Sequence, residues 1–491
     1  MPADPSRPPG TTSPSYVDCI LLQARFDGRR PAIGTESGVL TYGQLAEAIA
    51  AATTRCAAAG LAPGTLVGLT VADPVWQVVL ICALHRLGVI STSLMPAEAG
   101  LPLGMSALLY DRDRPAGFTG TALQVDPGWF AAQPGRPPAT PVRFGPRDVC
   151  RVALSSGTTG EPKPIAMSEA VLWDRITTYL WRGSMAAVQR VFCGPQMRSH
   201  FGFMIAFTAL ATGKMVCFAQ TAATAVPVIA FAGAELAIVS VQQLGELAET
   251  QERSLGGLAT LREIQAGGSH ISEALVRRLR AVLPVPIVNT YASTEAGVVA
   301  LASVEQLAER RDEGAVGFLV PWATVEACDE AGRPLPAGET GSLRIRALGL
   351  AAPWRPGSTT MEPMDAFSPG DHGRVLETGM LVVGGRTNDV INFGGVKLAA
   401  ELLDRQVTRC KGVRDAGVIA VEGRSGLPEI VVAVVAGGHV DEAEIGARCA
   451  EVAPFARPVA VHRVEAIPRN AMGKIVRSEL RRTLAAGTGP A

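Results

Sequence analysis

Between Tyr42 and Ala59 (YGQLAEAIAAATTRCAAA) apolar positions recur at helical spacing, with Thr41 placed to cap the start and Gly60 to stop the end. A β-branched run at Thr65–Val71 follows, then a helix over Asp73–Leu87 and an apolar strand over Val89–Leu94. The alternation returns with strands at Ala237–Val241, Glu263–Ala266 and Ile287–Thr290 and a helix at Ser272–Leu283. Strands separated by such helices predict a mostly parallel sheet covered on both faces, an α/β fold. After Gly314 the texture changes. Thr324–Ala347 and Gly373–Arg386 are short alternating runs joined by Gly and Pro, the pattern of an antiparallel β subdomain. Beyond Arg386, a helix at Glu401–Arg409 and strands at Ala416–Val421 and Glu429–Ala436 predict a small α+β domain. The expected organisation is a flexible lead-in at 1–15, a large domain at 16–385 with its β subdomain at about 315–385, a connection at 386–389, a small domain at 390–484 and a tail at 485–491.

Composition narrows the function classes. Hydrophobic residues make up 47% and charged residues 18% of 491, which excludes a disordered chain. Forty-five basic residues balance 45 acidic ones, so no basic surplus is present to bind nucleic acid through bulk electrostatics. Val226–Val241 is apolar, but Pro227 and Glu235 interrupt it and it is shorter than the roughly 20 residues of a membrane span. It is read as a buried strand and helix edge. The nine cysteines are scattered and never in CxxC spacing, as expected of reduced, buried thiols and not of a disulfide framework or zinc site. The Pro- and Ser-rich N-terminus has no apolar core of a signal peptide, so a cytoplasmic protein, monomer or homodimer, is expected.

The segment Arg151–Ile165 (RVALSSGTTGEPKPI) carries the strongest chemical signal. An apolar strand ends in Ser155, Ser156, Gly157, Thr158, Thr159 and Gly160, followed by Lys163. So small a run cannot fill a core. Its glycines allow close backbone approach, its N–H and hydroxyl groups donate to anionic oxygens, and Lys163 adds a point charge, as a polyphosphate requires. The Walker spacing is absent, and a bland flexible loop is the competing reading of this segment alone.

Together with four further segments in order, SSGTTGEPK resembles the phosphate-binding motif of the adenylate-forming superfamily, which contains acyl- and aryl-CoA synthetases, nonribosomal adenylation domains and firefly luciferase. The others are YASTEAG (Tyr291–Gly297), GETGSLRIR (Gly338–Arg346), Pro369–Leu398 and IPRNAMGKIVRSELRR (Ile467–Arg482). The resemblance implies a large N-terminal domain and a small, mobile C-terminal one. It also implies a two-step reaction, in which a carboxylate attacks the α-phosphate of ATP to give acyl-AMP and pyrophosphate, and a thiol or other nucleophile then takes the acyl group.

Roles follow from the same resemblance. Tyr291, at the end of a strand, stacks on adenine. Thr294 bonds the α-phosphate, and Glu295, a hard oxygen donor, binds a nucleotide-bound Mg²⁺ together with Thr158. Read without the resemblance, Thr294 and Glu295 form a helix cap and Asp371 a turn. With it, Asp371 takes the ribose hydroxyls, Arg386 contacts ribose or phosphate, and Asn388 is the hinge residue at 386–389, where an Asp or Lys is usual. Lys474, in the turn MGKI between Arg469 and Arg477, bridges the substrate carboxylate and the α-phosphate.

The implied acid pocket is built from Cys193–Phe207, Gln265–His270 and the flanks of Tyr291. It includes His200, Phe201, Phe203, Gly267, Gly268, Ser269 and Ala292, with His200 and its neighbouring aromatics gating the carboxylate as in acyl- and aryl-CoA synthetases. The phenylalanines are read equally as core. Arg198 is either a solvent-facing charge or the anchor of a second anionic group. The segment lacks the Asp of a Phe-Asp pair that holds an ammonium, which disfavours an α-amino acid. A small aryl or short acid is expected, with coenzyme A as acceptor ahead of a separate carrier protein. Adenylation of another oxyanion such as nitrite for an amine, and a non-catalytic nucleotide-binding relative, stand behind these. Pro164, Ala292, Pro369, Asn388 and Met472 depart from the family pattern without removing an assigned charged group.

Overall fold

Thr41 and Asp73 fix the first long helices of the large domain. The Thr41 hydroxyl accepts the Gln44 N–H while the Gln44 side chain accepts the Thr41 N–H, a reciprocal cap that opens the helix Tyr42–Ala58. Asp73 accepts the N–H groups of Val75 and Trp76 at 2.8 and 3.0 Å, and Pro74 takes the first turn of the helix Pro74–Arg86, where its missing donor does no harm. The computed structural model describes residues 14–132, 140–155, 162–253, 258–269, 271, 273–283, 285–311, 313–386, 390–393, 396–422, 428–452, 458–470 and 473–487.

Among these residues the large domain holds a seven-stranded and a 13-stranded sheet. In the first, Leu66–Thr70, Ile90–Ser93, Ala107–Tyr110, Thr121–Gln124 and Val149–Ser155 run parallel, and Lys163–Ser168 turns back antiparallel on Val149–Ser155. In the second, Arg190–Cys193, Leu236–Ser240, Glu263–Gly267 and Ile287–Ser293 are parallel neighbours. The antiparallel strands after Gly314 do not make a sheet of their own. Through the hairpin Ile287–Ser293/Gly297–Ser303 and the strand Ala315–Leu319 they extend this same sheet, so its edge stays paired.

One core fills the space between the sheets and takes in the helix His200–Ala211, which is buried on nearly every side. A second core lies on the far face of the large sheet beneath helices Ala222–Ala232, Val241–Arg253 and Glu273–Val282. The apolar stretch around Pro227 is thus a helix, closed by Gly233 in the left-handed conformation, followed by the strand Leu236–Ser240. Among the described residues no helix is long and apolar enough to cross a membrane. All nine cysteines are free and eight are buried.

Beyond residue 399, a three-stranded sheet (Val413–Glu422, Pro428–Ala436, Pro458–Arg463) is covered by helices Ala400–Thr408 and Glu442–Val452 on one face and by Arg477–Gly487 on the other. An ion pair joins the two faces. Arg477 Nη2 donates to Asp404 Oδ2, both side chains being about nine-tenths buried, and the Val418 N–H donates to Asp404 Oδ1 at 2.6 Å. Burial pushes the Asp404 carboxyl up to about 6, with Arg477 pulling it down. Arg477→Met strands a buried carboxylate and is expected to cost about 3 to 5 kcal/mol in urea unfolding at pH 8. Because a carboxyl without its partner takes up a proton more readily, that cost should shrink as pH falls through 6, and a cost independent of pH would refute this account.

Candidate active site

The parallel strands of the large sheet end together, and their following turns make one cluster. Cys193 leads to Gln196–His200, Gly267 to Gly268 and Ser269, and Ser293 to Thr294 and Glu295. The carboxyl ends of parallel strands are where open α/β sheets bind ligands. In the neighbouring sheet, Ser155 and Lys163 face each other across a hairpin, and the Ser155 hydroxyl donates to the Lys163 carbonyl at 3.4 Å. Lys163 thus opens a strand and not a helix. Its side chain is exposed. Ser156, Gly157, Thr158, Thr159 and Gly160 lie outside the described residues, as do Asn388 and Met472.

A β-bulge between Tyr291 and Ala292 turns the end of the strand Ile287–Ser293. Such bulges re-aim side chains. Here the Tyr291 hydroxyl donates to Asp371 Oδ2, and Asp371, 7% exposed, opens the strand Asp371–Val375 directly opposite Arg386. Three segments far apart in sequence thus meet; of Arg386 only the backbone is described. Alongside, Gly267 lets strands close up, since a Cβ there would stand 2.8 Å from the Thr290 carbonyl oxygen. Ala292 is exposed beside the half-buried Tyr291.

Sequence reasoning missed Arg175. It lies on the helix Glu169–Trp181, is 2% exposed and, among the described residues, makes no ion pair with a carboxylate. Its guanidinium donates to the carbonyls of Thr294 (2.7 Å), Glu295 (2.6 Å) and Gly349 (3.0 Å) and approaches His200 Nε2 at 2.5 Å. The Ala351 N–H also donates to the Glu295 carbonyl, at 2.8 Å, and the Ser293 hydroxyl accepts the Ala296 N–H at 2.9 Å. The turn is therefore held by its backbone, and among the described residues the Glu295 carboxylate makes no bond, which leaves it for a cation. The one signal for Arg175 in the sequence is a charge within the apolar stripe Val171, Leu172, Ile176, Tyr179.

His200 opens the helix His200–Ala211, capped by Ser199. Its pKa is driven well below the usual histidine value by burial first, then by Arg175 and Arg151. Arg175 has only hydrogens to offer, so Nε2 is the acceptor and Nδ1 carries the proton; Nδ1 is buried and has no partner among the described residues. Phe203 is 1% exposed, in edge contact with Tyr16 and 4.5 Å from Phe207, with the Arg151 guanidinium 4.3 Å above its ring. It is core, the second of the two expectations for it. Phe201 is half-buried against the same core. Arg198 is half-buried, its Nε bound to Gln196 Oε1 at 2.5 Å.

Lys474 comes to this cluster from the small domain. Arg469 and Ile475 bridge a tight turn in which the Lys474 N–H donates to Asn470 Oδ1 at 3.0 Å and Gly473 takes φ +78°. A Cβ at Gly473 would lie 3.3 Å from Ser269 Oγ, so the turn bearing Lys474 touches the large domain beside Gly268. Its basic neighbours hold it in place: Arg469 binds the Gly473 carbonyl at 2.6 Å and pairs with Asp415, and Arg477 pairs with Asp404.

Residues 102–352, just over half of the chain, match the family model described as AMP-binding enzyme. The chain belongs to the AMP-binding enzyme family. This AMP-binding enzyme is an ATP-dependent, AMP-forming ligase. A 4-chlorobenzoate–CoA ligase of Arthrobacter sp is 27% identical over 94% of this chain and 94% of its own length. A salicyl-AMP ligase/salicyl-S-ArCP synthetase of Mycobacterium tuberculosis is 26% identical over 92% of this chain and 87% of its own. In fold, the AMP-binding enzyme is similar to o-succinylbenzoate CoA synthetase of Bacillus subtilis (TM-score 0.84, 19% identity, 96% of this chain and 98% of that one). It is likewise similar to an amide bond synthetase of Marinactinospora thermotolerans (TM-score 0.83, 22% identity, 96% and 99%).

Two outcomes are expected. Arg175→Lys, which replaces a planar fork by one point charge, should lower the rate of ATP–pyrophosphate exchange by about 10²-fold through misplacement of Thr294 and Glu295. Unchanged exchange would remove Arg175 from the site's support. Because His200 binds a proton only well below its usual range, kcat/KM from about pH 6 to 8 should have the same shape in wild type and His200→Gln. A step near pH 6.5 found only in wild type would contradict a neutral His200.

Proposed function

We propose that this enzyme adenylates a small aryl or short carboxylic acid and transfers the acyl group to the thiol of coenzyme A. The observation that carries the reading is the seating of the Lys474 turn against Ser269, at the open end of the cluster formed by Thr294, Glu295 and His200. Two anions must meet in the first step, the carboxylate and the α-phosphate. Lys474 offsets their repulsion and the charge that builds on phosphorus, an electrostatic task that depends on a donor fixed in advance. As the carboxylate oxygen bonds to the α-phosphorus, the bond to the β-phosphate bridging oxygen breaks and pyrophosphate leaves. In the second step the thiol gives up its proton to water as its sulfur bonds to the acyl carbon, and AMP departs with the electron pair of the broken acyl–oxygen bond.

The residues fit a nucleotide. Tyr291 presents a ring beside a buried carboxylate acceptor at Asp371, and Gly267 lets the adjoining strand approach closely. Glu295 and Thr158 would hold Mg²⁺, which when bound neutralises phosphate charge. Arg175 fixes the Glu295 turn, and His200, neutral and held through Nε2, orients the carboxylate without adding a competing charge. The helix His200–Ala211 has no acid in its first turn, so no group there meets an α-ammonium.

Two relatives are named for aryl acids, and they differ in acceptor. The 4-chlorobenzoate ligase is named for CoA and the salicyl enzyme for a carrier protein. Loading of a separate carrier protein is therefore the second reading. A pyrophosphate-release screen over aliphatic, aryl, dicarboxylic and inorganic anions, with and without CoA, separates them. An acyl-CoA product is expected. Acyl-AMP that accumulates and is not consumed by CoA would favour the carrier, and silence for every anion with intact ATP binding would overturn the ligase reading. Lys474→Ala should lower pyrophosphate release by at least about 10²-fold while ATP affinity stays near wild type, and a wild-type rate would refute its role.

A further inference from the structure

The helix that carries Arg175 ends in a second guanidinium. Arg182, its C-cap residue, follows Arg175 by seven positions, about 10 Å along the axis and back on the same side after roughly two turns. Its Cζ lies 4.9 Å from the centroid of the Tyr179 ring, and Nη2 donates to Gln265 Oε1. The Gln265 amide in turn donates to Glu263 Oε1 at 2.7 Å, so the glutamine is fixed at both ends. Among the described residues Nε and Nη1, which carry three of the five N–H donors, are sealed from solvent and meet no acceptor in good geometry, although the Tyr179 phenol and Glu263 act on the guanidinium.

Gln265 shows where these donors sit. In the strand Glu263–Gly267, Ile264 and Ala266 belong to the core on the far side of the sheet, so Gln265 and Gly267 share the opposite face, one side-chain repeat of about 7 Å apart. Gly267 leads into Gly268 and Ser269, which the Lys474 turn touches. The Arg182–Gln265 bond thus ties the helix of Arg175 to the strand that leads to Gly268 and Ser269, and Arg175 on the same helix reaches His200 and Thr294. A cation with most of its donors unmet and closed off from water demands an acceptor. Arg198, the sequence candidate for such a role, is bonded to Gln196 at the entrance side.

We infer that the acid activated by this enzyme carries a second carboxylate, received by Arg182 as Gln265 orients it, while the first carboxylate meets Lys474. The substrate is a dicarboxylic acid, aliphatic or aryl, whose far end reaches about two helical turns into the protein. This rests on the ligase reading above and gives its substrate class.

The test compares matched acids: α,ω-diacids from succinate to sebacate and aryl diacids such as 3-(4-carboxyphenyl)propanoate, each against the monoacid lacking the second carboxylate. ATP–pyrophosphate exchange should favour the diacid at one or more lengths by at least about tenfold in kcat/KM. Arg182→Met should lower the diacid-to-monoacid ratio by about 10² or more, since a site built for an anion rejects the analogue lacking it, with Arg182→Lys between the two. Exchange that is indifferent to the second carboxylate at every length, or a loss in Arg182→Met shared equally by both series, overturns the inference and leaves the ligase reading intact. Thermal unfolding with acid and without ATP gives a readout free of turnover. The diacid should raise the midpoint more than its monoacid, and Arg182→Met should erase the excess. Such an excess in an enzyme that adenylates no acid would keep the Arg182 site and overturn the ligase reading instead. Without acid, Arg182→Met should unfold no lower than wild type; a lower midpoint together with an equal loss for both series makes Arg182 structural.

Discussion

A buried cation whose hydrogen bonds, among the described residues, go to carbonyls and an imidazole organises this protein. Arg175 is 2% exposed, and its charge is offset by three backbone carbonyls and the lone pair of one imidazole. Removing a guanidinium from water on such terms costs several kcal/mol unless nearly every donor is met, and in Arg175 every nitrogen has a partner. The carbonyls belong to Thr294, Glu295 and Gly349, from parts of the chain with no local reason to meet. One planar fork thus sets the helix Glu169–Trp181, the start of the helix His200–Ala211 and the turn between two sheet strands in a single relation.

The same economy governs the other charges. His200 is kept neutral by burial and by the two arginines beside it, so the wall of the site is a fixed dipole and not a titrating charge. Arg469 and Arg477, which flank Lys474 in sequence, are committed to Asp415 and Asp404 and serve the shape of the turn. A chain whose 45 basic and 45 acidic residues cancel has no field to gather anions from a distance. Its selectivity for anions comes from a few cations held in fixed places.

Much of this was legible in the sequence. Thr41, Asp73 and Gly60 marked helix ends because capping is local chemistry, and the strand–helix alternation gave the parallel sheets. Tyr291, Asp371, Thr294, Glu295 and Lys474 could be named only through the resemblance of their segments to a known family, since read alone the Thr294–Glu295 pair is a helix cap, Asp371 a turn residue and Lys474 a surface charge. What the sequence hid is long-range. The continuity of the antiparallel strands with the parallel sheet depends on pairing between Gly297–Ser303 and Ala315–Leu319, which alternation alone does not specify. Phe203 reads as pocket or core until Tyr16 and Arg151 are seen around it. Arg175 and Arg182 belong to no motif and differ from surface arginines only in what other segments bring to them.

The placing of Lys474 on a separate domain follows from the same physics. Adenylation wants a cation beside the α-phosphate, yet the second nucleophile must reach the acyl carbon once pyrophosphate has gone. A lysine on the wall of the large domain would meet the first demand and crowd the second. In this protein the Lys474 turn meets Ser269 through a glycine, and the Arg405 guanidinium reaches the Val383 carbonyl at 3.4 Å. The first is a close approach of backbone to a side chain, and the second is a long hydrogen bond. Inside the small domain the Asp404–Arg477 pair is buried, hydrogen-bonded to the sheet edge and costly to break. The strength of that pair keeps the shape of the small domain that carries the Lys474 turn.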